Sequence, residues 1–174
     1  PEYELTDTGI FDDQRYFDVV AEYAKAAPDD ILICITAANR AAEAATLHLL
    51  PTFWFRNSWS WGCTHEGCER KPVISLQPDG SLLADHVSLG RFRCFIDRGD
   101  SLPKILFTEN ETNVARLFGD TGDTKAVKDA FHDYVIDGNT AAVSAKPFGT
   151  KAAPHFVFTI PAHGEVTIRL RLSA

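Results

Sequence analysis

Apolar residues along most of this chain alternate with polar ones in short pieces bounded by turn residues, the pattern of strands with one buried face. Between Arg15 and Ala26, Phe17, Val19, Ala21 and Tyr23 recur at a period of two; after Ala27-Pro28-Asp29-Asp30 comes Ile31-Leu32-Ile33-Cys34-Ile35-Thr36, rich in β-branched residues. Together they predict a hairpin. Thr46 to Phe55 carries Leu47, Leu49, Phe53 and Phe55 on one parity, and Pro51 in its middle, with no N–H to give a ladder, predicts an edge position or a bulge. Val73 to Gln77 and Leu82 to Val87, joined by Pro78-Asp79-Gly80-Ser81, predict a second hairpin. Arg91 to Ile96 and Lys104 to Phe107 add two strands. His155 to Ile160, the turn Pro161-Ala162-His163-Gly164 and Val166 to Leu172 predict a third hairpin, with Val166, Ile168, Leu170 and Leu172 on the buried side.

The pattern changes between residues 111 and 137. Val127, Ala130, Phe131, Tyr134 and Val135 share one helical stripe, so a helix is predicted from near Thr124, with a shorter helical turn over Asn113 to Phe118. Eight or more strands interrupted by one helical insertion predict an all-β fold, an antiparallel sandwich of two sheets. No repeat or low-complexity tract divides the chain, and the turn-rich segments at 57–72, 119–124 and 144–154 have the length of loops, so residues 1–174 read as a single domain.

Composition narrows the function classes. At 174 residues, 45% hydrophobic and 24% charged, the chain is long enough for one core and unlike a disordered, coiled-coil or collagen sequence. Seventeen basic against 24 acidic residues give a net charge of −7, which disfavours nucleic acid as a partner. No apolar run reaches the ~18 residues of a membrane helix, so no membrane partner is expected. There is no methionine and the first residue is Pro1; we therefore expect a piece of a longer protein, cytoplasmic by default.

Candidate chemistry concentrates in two stretches. Leu50 to Gly62 holds all three tryptophans and two phenylalanines in thirteen residues. Phe53 and Phe55 are expected in the core. Trp59 and Trp61, beside Arg56 and Asn57, either fill a half-wet rim or form a platform for the apolar faces of sugars, with the arginine and the amide serving hydroxyls. Phe107-Thr108-Glu109-Asn110-Glu111-Thr112-Asn113 is a dense polar run following a strand; it either caps the next turn or contributes Glu109, Asn110, Glu111 and Asn113 to a sugar pocket or domain interface. Asp129 and Asp133 stack one helical turn apart, as do Lys128 and His132, which suits a solvated face better than carboxylates on opposite sides of a scissile bond. The four cysteines are expected as thiols, with Cys63-Thr-His65-Glu66-Gly67-Cys68 the one stretch offering metal or disulfide spacing, and no second knuckle to complete a zinc site. No nucleophile elbow, zincin, P-loop or dinucleotide motif occurs. No catalytic residue, metal or cofactor is therefore assigned.

Glu4-Leu5-Thr6-Asp7-Thr8-Gly9-Ile10-Phe11-Asp12, the aromatic segment to Gly62, Phe107 to Asn113, Val127-Lys128-Asp129, His132-Asp133-Tyr134 and Gly149-Thr150-Lys151-Ala152-Ala153 together resemble the N-terminal region of large bacterial glucosidase-like proteins of glycoside hydrolase family 63, relatives of mannosyl-oligosaccharide glucosidase. The resemblance implies a supersandwich preceding a toroid of paired helices, inverting hydrolysis of α-glucosidic bonds, and catalytic carboxylates located in that toroid, outside this chain. The chain departs from the family at Asn39-Arg40-Ala41-Ala42, where Asn-Arg-Gly-Pro is expected, and at the Cys63–Cys68 loop. The function implied is that of a non-catalytic domain packing on a helical catalytic domain of the same parent chain and shaping its cleft, with an oligosaccharide and self-association of the piece as further partners. The alternatives are an autonomous carbohydrate-binding module using Trp59 and Trp61, and a small interaction protein built on the cysteine loop.

Overall fold

A computed structural model describes residues 2–62, 70–97, 99, 102–119 and 126–174, the side chain of Trp61 excepted. The described strands are β1 (Phe17–Ala27), β2 (Asp30–Asn39), β3 (Ala45–Leu49), β4 (Phe53–Trp54), β5 (Val73–Leu76), β6 (Leu82–His86), β7 (Gly90–Asp97), β8 (Lys104–Thr108), β9 (Phe148–Gly149), β10 (Lys151–Ile160) and β11 (Glu165–Ser173), with helices α1 (Val114–Phe118) and α2 (Ala130–Ile136) and 3-10 turns at Leu5–Thr8 and Trp59–Trp61. The fold is all-β. One sheet has seven strands in the order β1-β2-β11-β7-β6-β5-β9; in the other, β10 pairs with β3 and β4 and also with β8. Every pairing is antiparallel.

The core follows from strand alternation. Ile33 and Ile35, Ile168 and Leu170, Leu82, Cys94 and Ile74 from the large sheet meet Phe107, Ala152 and Phe156 from the small one. Residues one step along point the other way: Leu106 and Ala153 lie on the outer face of the small sheet, where Phe131 of α2 covers them as a thin third layer. Cys34 and Cys94 are thiols, and burial pushes the Cys94 thiol up to about 12, so it behaves as a small hydrophobe. Cys63, Cys68 and the loop between them lie outside the described residues.

Pro51 acts as its position suggested. β3 and β4 follow β10 in one register, with Leu49 opposite Phe156 and Phe53 opposite Ala152. Carried through the gap, that register sets Pro51 opposite Pro154, two residues without N–H groups, and the ladder breaks there.

Two elements differ from expectation. β10 and β11 do not form a hairpin: they belong to different sheets and face each other across the core. Asn39, 2% exposed, pins the crossover: its Nδ2 donates to the carbonyls of Glu43 (2.8 Å), Ile160 (3.1 Å) and Pro161 (3.2 Å), and its Oδ1 accepts from the Ala41 N–H (3.0 Å). The chain passes from sheet to sheet through His163, which has a φ of 55°. Helix α2 is also shorter than the stripe predicts. Ala126 has a φ of 56°, a left-handed conformation no helix continues through, so the helix begins at Ala130.

Candidate functional site

Thr150 stands between β9 and β10, where the chain leaves one sheet for the other, and is 1% exposed. A buried hydroxyl at such a joint needs partners. Its Oγ1 accepts from the Asn110 N–H (2.7 Å) and donates to Glu109 Oε2 (2.7 Å), while its carbonyl accepts from the Phe55 N–H (3.0 Å). Asn110 Nδ2 closes the loop by donating to the Phe55 carbonyl (2.9 Å). The segments after β4 and β8 are thereby tied to the sheet switch. Gly149 makes the closeness possible: a Cβ there would lie 2.4 Å from the Thr108 carbonyl oxygen.

An ionic cluster builds outward from this corner. Lys71 Nζ reaches Glu111 Oε1 at 2.9 Å and Glu109 Oε2 at 3.0 Å, and lies 5.5 Å from the centre of the Trp59 ring. The Trp59 indole N–H donates to the same Glu111 oxygen at 2.7 Å. Burial alone would raise the Glu111 carboxyl, but the bonds from Lys71 and Trp59 outweigh it and hold Glu111 below the usual carboxylate range. Burial likewise pulls Lys71 down, and the two carboxylates more than reverse it, leaving the ammonium above an ordinary lysine. A general acid for glycoside cleavage needs the opposite, a carboxyl raised so that it keeps its proton near neutrality. Glu111 is thus held as a carboxylate by Lys71 and Trp59, and Lys71 also pairs with Glu109.

Four of the residues expected at a site, Trp59, Glu109, Asn110 and Glu111, therefore meet at one corner although they span more than fifty positions. Asn113 and Asn57 make other contacts. Asn113 caps α1, its Oδ1 accepting from the Arg116 N–H (3.1 Å) while its Nδ2 contacts Asp129 (3.2 Å). Asp129 also pairs with Arg116 at 3.1 Å, so it is not an isolated carboxylate beside Asp133. Asn57 accepts from the Ser60 N–H (3.2 Å), a local turn bond. Arg56 is exposed, and the Trp61 side chain lies outside the described residues. The polar run is anchored from behind as well: the Glu109 N–H donates to the Ala126 carbonyl (2.6 Å), and the Glu111 carbonyl accepts from the Lys128 N–H (3.0 Å).

Lys71 is the member that sequence reasoning missed. A single lysine in a turn-rich loop has no periodicity to mark it, and only the two glutamates forty positions on give it meaning. Thr150 carried a signal, since Gly149-Thr150-Lys151 belongs to the resemblance, but its role as the hinge of the corner did not show in composition.

What the fold and corner define is a two-sheet β-sandwich whose sheets are tied together at one polar joint. Among known proteins, the chain is similar to "Uncharacterized protein YMR196W" of Saccharomyces cerevisiae, 29% identical over 196 aligned residues that cover 98% of this chain and 18% of that protein. The chain thus spans less than a fifth of that relative's length. No family model matches, and no solved structure matches.

Proposed function

We propose that this chain is the non-catalytic β-sandwich domain of a glycosidase resembling family 63, packing on a helical catalytic domain of the same parent chain and shaping the edge of its α-glucoside cleft. The observation that carries this reading is the convergence at Thr150: segments of the resemblance that lie far apart in sequence hold one another through Trp59, Glu109, Asn110, Glu111 and Thr150, and both glutamates are tied to Lys71. Such a joint fixes loop positions; it does not cleave bonds. A relative more than five times as long agrees with a domain role. So does apolar surface left in the open: Val19 and Val20 are at least half exposed, Tyr23 is 69% exposed, and Trp54, opposite Lys151 on β10, is 60% exposed.

The test compares the full-length gene product with the 174-residue chain on α-gluco-oligosaccharides. Turnover by the long protein and none by the chain is expected, with Glu111→Gln in the chain changing nothing. Hydrolysis by the chain alone, abolished by Glu111→Gln, sinks the proposal. Calorimetric heat from oligosaccharide binding to the chain, lost in Trp59→Ala, moves the assignment to an autonomous carbohydrate-binding module.

A further inference from the structure

Two histidines meet on the outer face of the small sheet. The register of β3 on β10 sets His48 opposite Val157, one diagonal step from His155. His48 Nδ1 lies 2.9 Å from His155 Nε2, with the ring centres 5.1 Å apart and the planes at 21°. With the centres so far apart, a contact that short requires both nitrogens to lie close to the line joining them. The rings therefore meet head to head, as an N–H···N bond demands, and not with two lone pairs converging on a metal ion. Whichever ring donates, one proton bridges the pair and one lone pair receives it.

That geometry limits how many protons the pair can carry. A first added proton takes the outward nitrogen of the donor ring and leaves the bridge intact, now charge-assisted. A second must take the accepting lone pair itself, so that two N–H groups and two positive charges face each other. Nothing beside them offsets the repulsion. The outward positions of β3, β8 and β10 carry these two histidines, Lys104 and Lys151, and no carboxylate. Lys104 pairs with His155 in the β8–β10 ladder, and its Nζ stands 5.0 Å from the centre of the Tyr134 ring, which meets the His155 ring edge to face. From α2, His132 lines a groove of about 280 Å3 together with His48 and Lys151, and neither Asp133 nor Asp137 is on its wall. Asp129, just before the helix, is bonded to Arg116 and Asn113. Burial pulls His155 below the ordinary histidine value, and His48 and Lys104 push it the same way. A ring held low contributes stability that is full above the unfolded histidine value and drains as pH falls towards the folded one, so the contact fails on the acid side.

Among the described residues β3 pairs with β10 alone, which makes it an edge of the small sheet. We propose that the His48–His155 contact is an acid-released latch: one bridging proton clasps edge strand β3 to β10 beside α2, and double protonation loosens β3 and widens the groove lined by Leu50, Phe131 and Val135. The latch is independent of the docking role argued above.

The 174-residue chain is titrated from about pH 8 to about pH 4 by NMR of the histidine rings, with amide-exchange protection along β3 read at each pH and β8 as the internal reference. The pair should take up its protons in two steps at least about one pH unit apart, as coupled sites do. Protection of β3 should fall at least tenfold across the lower step while β8 keeps its own. His48→Gln, at an exposed position of the edge strand, removes one charge and keeps a donor; His155 should then titrate once, at higher pH than the lower step of the parent, and β3 should stay protected through it. Lys104→Met removes only the neighbouring cation and should move the lower step to higher pH with both steps kept; it serves where His48→Gln does not fold. The proposal is overturned if His155 titrates at the same pH in the parent and in His48→Gln, or if Lys104→Met leaves the lower step where it was. It is equally overturned if β3 keeps its protection through both steps, or if β3 and β8 lose protection together.

Discussion

β4 divides two kinds of interior. Just past its end, the Phe55 backbone enters the corner at Thr150, where it bonds to the Thr150 carbonyl and Asn110 Nδ2 and a glycine is required for the strands to approach. The rings of Phe53 and Phe55 instead wall a half-open cavity of about 340 Å3, beside Ala84 and Phe92. One region has no room for an added methyl group, whereas the other has room. The same kind of substitution should therefore have opposite signs in the two places. Gly149→Ala drives a methyl group to 2.4 Å from the Thr108 carbonyl, a backbone atom that cannot swing aside, and should cost about 3 kcal/mol, the upper range for overpacking. Ala84→Leu adds three carbons where the wall has vacant space and should add about 1 kcal/mol, as cavity filling commonly does. Urea midpoints of the two variants measure the contrast. Losses of similar size from both would mean that the cavity is not a void in solution and the comparison fails.

The next effect separates cohesion by charge from cohesion by shape. Lys71→Met removes the ammonium shared by Glu109 and Glu111 and leaves two carboxylates facing each other. Lys71 and both glutamates are roughly a third to two-fifths exposed, so solvent screening keeps the loss to about 1 kcal/mol at neutral pH. Its pH dependence is the sharper readout. In the parent chain Glu111 is held below its ordinary value; the stability it contributes is full above the unfolded carboxyl value and drains as pH falls through the lower folded one. Lys71 is held above its ordinary value, so its share is full below the unfolded lysine value and is lost as pH rises through the folded one. In Lys71→Met the carboxylates repel, their folded values rise, and the variant should gain stability as pH falls below about 5. Chemical denaturation at several pH values between 3 and 8 reads this out. Parallel curves for the two proteins would show that the cluster holds the corner by packing alone.

Much of the fold was legible because alternation is a local property. Phe17 to Tyr23, Val73 to Gln77 and Val166 to Leu172 each announce a strand by their own spacing, and the break at Pro51 follows from a missing N–H. Partner choice is not local. Whether β10 lies beside β11 or across from it depends on Asn39, more than a hundred residues away, and the two-residue β9 is too short to show any period. At the corner, Trp59, Glu109, Asn110 and Glu111 stood out as dense polar and aromatic runs, yet their chemistry rests on Lys71, which no pattern marks. The cavity had no signal at all. Ala84 and Phe92 look like any core residues until the small sheet is seen to end short of them.

Thr108 supplies the smallest test, and it probes the one place where the corner's matching lapses. The residue opens the polar run and is fully buried, and its Oγ1 is the buried side-chain polar atom without a hydrogen-bond partner among the described residues. Burying a hydroxyl unpaired costs roughly 1–3 kcal/mol, whereas a methyl group of the same shape incurs no such penalty. Thr108→Val keeps the β-branched form that suits β8 and leaves the carbonyl that approaches Gly149 in place. It should therefore raise stability by about 1 kcal/mol, or about 3 °C in thermal midpoint for a chain of this size. An unchanged midpoint would mean that the hydroxyl is satisfied in solution. A fall of several degrees would mean that it is a working member of the joint, whose bonding would then be more complete than its atoms show.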